Sequence, residues 1–186
     1  NDSRTGNRDH IYALEKKRLD DLKTEATDKT KVDEYTQTEM NSAADAYMDL
    51  GVPRLAITEI NRVFAANQEN TYSYEIRGHA YTLLKQPEKG IADLNVAIQQ
   101  DPEYGWAYAR RAEAYLALNN KELALQDAEK AIRYRPKISQ SYIVKGKILD
   151  SEGNTSEALE AYRRAKGADP KVVIPARYQQ LLDQGD

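Results

Sequence analysis

The chain has 186 residues, 40% of them hydrophobic, which is enough for one domain or one short array with a buried core. Its 27 Lys and Arg against 30 Asp and Glu leave a formal charge of −3, so there is no global attraction to nucleic-acid phosphates or to an anionic membrane. Cysteine is absent, which excludes disulfides, thiolate zinc sites and cysteine nucleophiles together, and no apolar run approaches the roughly 20 residues that a membrane span needs.

Residues 1–9, NDSRTGNRD, are polar and read as a tether. From about His10 to Ala26 an incomplete apolar stripe of Ile11, Leu14, Leu19 and Leu22 predicts a helix, either capping the first repeat or pairing with another copy. Together these make an N-terminal segment over 1–31. The first residue is Asn1 rather than methionine. That fits a trimmed chain or the mature end left by a signal peptide, and it leaves the cytoplasm and a bacterial periplasm or envelope both open. The threonines and aspartates of Thr24–Gln37 favour turns and caps, so this stretch is a joint.

A helix then starts between Val32 and Gln37 and runs to Gly51, where glycine suits the left-handed end of a helix. Pro53 fits the first turn of the next, where its missing donor is harmless. The same design returns with Gln86-Pro87, Asn119-Asn120 and Gly153-Asn154 as turns inside hairpins, and with Asp101-Pro102 and Arg135-Pro136 as joints between them. Tyr81 to Tyr115 and Ala124 to Ala158 each span 34 residues. A fixed period of this size marks stacked repeats, here over 34–67, 68–101, 102–135 and 136–169. After Pro170, Ile174, Tyr178, Leu181 and Leu182 form a stripe on a terminal helix over 170–186, with Pro175 suited to its first turn. A stacked array needs such a last helix with one wet face.

Across the four units the first helix places Met40, Tyr74, Tyr108 and Tyr142 in one slot and Ala44, Gly78, Ala112 and Gly146 four residues later. A further slot holds Tyr47, Tyr81, Tyr115 and Leu149. In the second helix Ala56, Gly90, Ala124 and Ala158 fill a small slot, Ile60, Leu94, Ala128 and Tyr162 a bulkier one, and Val63, Ala97, Ala131 and Ala165 a last small one. Pro102, Pro136 and Pro170 close three units, with Gln68 in that place after the first. Over residues 34–169 this spacing resembles the tetratricopeptide repeat, a helix-turn-helix motif of about 34 residues. The resemblance implies an all-α fold: a right-handed α-solenoid of about four hairpins, with an N-terminal helix and a C-terminal capping helix. Physically, small residues at the crossings let the helices approach, and neighbouring units bury one continuous core.

Few residues could carry chemistry. His10 and His79 have no partner histidine, cysteine or HExxH spacing to make a metal set. The nine glycines are dispersed and form no phosphate-cradling loop. The sequence is therefore read as non-enzymatic, without cofactor or metal.

In the family the exposed side of each first helix lines a concave groove, and the resemblance carries that role onto residues here. The set comprises Asn41, Asp45, Asp49, Tyr72, Glu75, His79, Tyr104, Trp106, Glu113 and Lys147, with Thr82, Ala109, Ile143 and Asp150 among its neighbours. The acidic members favour a protein or peptide ligand that is basic or polar with an apolar anchor, and the acidic pI of 5.6 disfavours nucleic acid. Chaperone-binding members of the family hold a terminal carboxylate with lysine, asparagine and arginine at positions where this chain has Asn41 and Asp45, Glu75 and His79, and Ala109 and Glu113. Such a tail is a poor ligand here. Trp106 either supports the preceding repeat from within or anchors a partner. The expectation is an interaction module; the alternatives are a self-associating scaffold, hence a homo-oligomer, and a lipoprotein-type envelope assembly factor.

Overall fold

The structure is a computed structural model that describes residues 37–66 and 69–184. The tether, the helix and most of the joint expected before Gln37 lie outside the described residues. The chain divides into two units, Asn1–Glu39 and Met40–Asp186, and the array of helices belongs to the second.

Among the described residues there are helices and no strands. They form four hairpins: α1 (Gln37–Asp49) with α2 (Pro53–Ala65), α3 (Thr71–Leu83) with α4 (Pro87–Gln100), α5 (Gly105–Ala117) with α6 (Lys121–Tyr134), and α7 (Ser139–Ser151) with α8 (Thr155–Ala168). A short helix, α9 (Ala176–Asp183), comes last. Each hairpin packs on the next, so the core is a series of linked clusters along the stack, as expected of an α-solenoid.

The four turns inside the hairpins are built alike. Gly51, Lys85, Asn119 and Gly153 have φ of 70°, 62°, 57° and 82°. In each turn the next residue's N–H reaches back to the carbonyl of Tyr47, Tyr81, Tyr115 or Leu149 at 2.9 Å. The left-handed residue bonds to Met48, Thr82, Leu116 or Asp150 at 2.9–3.1 Å. These are Schellman motifs, which satisfy carbonyls that a helix end leaves open. Glycine fits at two of these positions, while Lys85 and Asn119 hold the same conformation against their Cβ. Lys85→Gly is therefore expected to raise the unfolding free energy by about 0.5–1 kcal/mol, and Gly153→Ala to lower it by about 1 kcal/mol. Thermal denaturation of the two variants should move in opposite directions.

The crossing points show why small residues recur. A Cβ on Gly90 would lie 2.6 Å from the Gly78 carbonyl oxygen and 2.6 Å from Thr82 Oγ1, and one on Gly78 would lie 2.7 Å from Leu94 Cγ. Size is traded across each contact. Gly146 faces the ring of Tyr162, 2.7 Å from where its Cβ would be, whereas Ala112 occupies the same slot in the unit whose second helix carries the small Ala128.

An arginine clamp stitches successive hairpins together. Arg77 on α3 donates to both carboxylate oxygens of Asp93 on α4 at 2.7 Å and to Asn61 on α2 at 2.9 Å, and its guanidinium lies 4.1 Å from the Phe64 ring centroid. One period on, Arg111 on α5 donates to Asp127 on α6 at 2.7 and 2.9 Å and to Asn95 on α4 at 2.7 Å. Each arginine thus holds three helices from two units. In the fourth unit the slots carry Lys145, Ala161 and Glu129, and a single 2.9 Å bond from Lys145 to Glu129 replaces the bidentate pair. A cavity of about 330 Å³ opens there, walled by Ile132, Tyr142, Leu149 and Ala161.

The terminal helix differs in detail from its sequence reading. Pro175 stands at the N-cap, just before α9, with ψ at 136°, because its ring disfavours continuing the chain backwards as helix. Leu181 is 42% exposed rather than part of the apolar stripe, and docking rests on Ile174 and the fully buried Tyr178. The Tyr178 ring lies tilted against Tyr162, with centroids 4.7 Å apart, and its hydroxyl donates to Asp150 at 2.8 Å.

Candidate functional site

Three first helices and one loop converge on a cleft of about 330 Å³. Asp45, Met48 and Asp49 share one face of α1 because they are spaced three and four apart; Tyr72, Glu75, Ile76 and His79 do the same on α3. From α5 come Trp106 and, one turn later, Arg110, while Tyr104 stands at the N-cap of that helix. The floor is formed by Ile76 and Glu75, 3% and 6% exposed, and the rim by Tyr72 and Asp49, which face solvent.

The charges are ordered in two layers. At the floor, Arg110 lies between two carboxylates, 3.2 Å from Glu75 Oε1 and 3.2 Å from Glu113 Oε2, with its guanidinium 5.3 Å from the Trp106 ring centroid. Burial pushes the Glu75 carboxyl up from its ordinary value, against the pull of Arg110. Burial, and then the neighbouring Arg110, pushes the His79 imidazole down to about 3, so it is neutral at physiological pH where it lies 3.8 Å from Glu113. At the rim, the Tyr72 hydroxyl donates to Asp45 Oδ2. Its own ionisation is pushed up by burial and by that bond. Neither Asp45 nor Asp49 has a cationic partner among the described residues.

Of the ten residues expected from sequence, seven line the cleft: Asp45, Asp49, Tyr72, Glu75, His79, Tyr104 and Trp106. Glu113 joins them through Arg110. Asn41 is buried at 6% exposure and accepts from the Ser73 hydroxyl at 3.1 Å, so its amide ties α1 to α3. Lys147 is exposed on α7 and does not join the cleft. Among the wider set, Ala109 and Ile143 are buried in core clusters, and Thr82 is buried with its hydroxyl bonded to the Gly78 carbonyl at 3.0 Å. These positions turn towards neighbouring helices because adjacent first helices pack along this side. In the fourth unit Asp150 is taken up by Arg177 and Tyr178 of the cap. Trp106 resolves as a half-buried wall residue of the cleft.

The residue that sequence reading missed is Arg110. Its position beside the apparent groove residue Ala109 hid it. The signal was available: Arg110 stands 35 residues after Glu75 and three before Glu113, so one stacked helix brings all three together. Among the described residues no group of histidine, cysteine and carboxylate could hold a metal ion, and no helix is long and apolar enough to cross a membrane.

Residues 109–172 match the family model described as tetratricopeptide repeat. Comparison with curated proteins finds no match. Among solved structures, MamA aligns at 23% identity and a TM-score of 0.61, over 81% of this chain and 85% of that one. A thermophilic TPR protein of Thermus thermophilus aligns at 17% and 0.66, over 73% and 75%. The second TPR domain of human RPAP3, in complex with the HSP70 peptide SGPTIEEVD, aligns at 28% and 0.52, over 59% and 91%. Four hairpins closed by the same turn, small residues at the crossings, a tetratricopeptide-repeat match on the third and fourth units and these shared folds agree, and the array has the tetratricopeptide-repeat fold.

Proposed function

We propose that the protein is a non-enzymatic interaction module whose cleft across the first three units holds a polypeptide segment of a partner, one with basic and apolar character. The observation that carries this reading is the cleft itself: an open, preformed hollow in which Tyr72, Tyr104 and Trp106 stand beside carboxylates. Aromatic side chains that are apolar on one side and wet on the other concentrate binding energy. That a related fold binds a peptide supports the class of ligand. The acidic end of that peptide does not suit this cleft, where Asp45 and Asp49 would repel it.

The test is to truncate the aromatic wall. Trp106→Ala and Tyr72→Ala, each shown by circular dichroism to keep its helicity, should each weaken capture of the partner by about 2 kcal/mol, a loss of roughly thirtyfold. Capture unchanged in both variants would place the interaction elsewhere on the array.

A further inference from the structure

The acidic residues around the cleft are not equivalent, and they differ in the partners they have among the described residues. Counting from sequence, Asp45, Asp49, Glu75 and Glu113 would all attract a basic partner. In the fold, Arg110 bonds both Glu75 and Glu113 and covers the Trp106 ring from the floor, so those two carboxylates are already engaged. Asp45 keeps one oxygen free beside the one that accepts from Tyr72, and Asp49 stands exposed one turn further along α1. Among the described residues the uncompensated charge of the cleft is thereby confined to one edge, on the first unit. Met48 and Ile76 form the apolar surface next to it, and Trp106 the far wall.

We infer that Asp45 and Asp49 form a subsite for the cationic head of a single lysine or arginine side chain, and that the apolar residue beside it in the same segment lies against Met48 and Trp106. This rests on the reading of the cleft as a polypeptide site and adds the charge and order of what it selects. The occupant follows from complementarity. A lysine or arginine offers an apolar stem that can lie along Met48 and Ile76 and a charged end for the two aspartates. Hydrogen bonds to ionised groups are the stronger kind, which makes the pair discriminating. Arg110 fixes the orientation, because a second cation at the floor would meet its guanidinium.

The experiment selects random peptides displayed on phage against the wild-type protein, against Asp45→Asn/Asp49→Asn and against Trp106→Ala. Trp106 is the one tryptophan of the sequence, so its emission reports directly on cleft occupancy. The wild type should enrich sequences that carry Lys or Arg close to an apolar residue. The leading peptide should shift Trp106 emission and bind more weakly as salt rises. On the double asparagine variant its affinity should fall roughly tenfold to a hundredfold. Enriched peptides that shift Trp106 emission but are neutral or acidic, or that bind the double variant equally well, would overturn the subsite and leave the cleft reading standing. Peptides enriched equally on Trp106→Ala, or no enrichment at all, would overturn both.

Discussion

Replacing Arg111 with methionine is expected to lower the free energy of unfolding by about 3 kcal/mol, the lower end of the range for breaking a buried ion pair from one side. Methionine fills much of the same volume, so the loss is electrostatic. Asp127, whose side chain is 5% exposed, would lose two bonds of 2.7 and 2.9 Å, and Asn95 would lose its donor as well. The guanidinium also lies 5.6 Å and 5.7 Å from the ring centroids of Tyr108 and Tyr115, and that attraction goes with it. Arg111 is itself only 15% exposed, so water compensates little. Denaturant titration of the single variant against Arg111→Met/Asp127→Leu separates the effects: the double variant should recover much of the loss, because it leaves no carboxylate without a partner. Equal stability of the single variant and wild type would show that the clamp contributes geometry and no net energy.

Gly90→Ala is expected to destabilise by about 2–3 kcal/mol, near the upper end for inserting one methyl group into a packed contact. On an isolated helix the same change would help, by about 1 kcal/mol. The sign reverses here because the added Cβ meets the Gly78 carbonyl oxygen and Thr82 Oγ1, each at 2.6 Å, and a backbone carbonyl cannot rotate aside. The hairpin α3–α4 must open to admit it, and its neighbours on both sides lean on that hairpin. By contrast, Gly167→Ala meets nothing within 4 Å and serves as the control for helix propensity. If both glycine variants gain stability in a thermal melt, the crossing at Gly90 is looser than its geometry shows.

Much of this fold could be read from residue types because the period repeats the same demands. Small residues at 44, 78, 112 and 146 and turn formers at 51, 119 and 153 each answer a steric need that one sequence displays several times over. Lys85 escaped notice as a left-handed residue, since nothing in its chemistry favours that conformation and only alignment with Gly51 and Asn119 reveals it. The aromatic and acidic walls of the cleft were legible because the resemblance to the repeat family carries the groove role onto those positions of the first helices. Arg110 and the burial of Ala109, Ile143 and Asn41 were not, because they depend on how closely one first helix lies against the next. That distance is fixed by packing between units and has no signature within a single repeat.

The two bidentate arginines fall on the junctions between the first and second units and between the second and third, the same three units that wall the cleft. An incoming segment thus meets a surface whose curvature is already locked, and little of its binding free energy is diverted into ordering the host. The fourth unit, which lacks a bidentate arginine and joins the third through Lys145 and the buried Val144 and Ile148, lies outside the cleft.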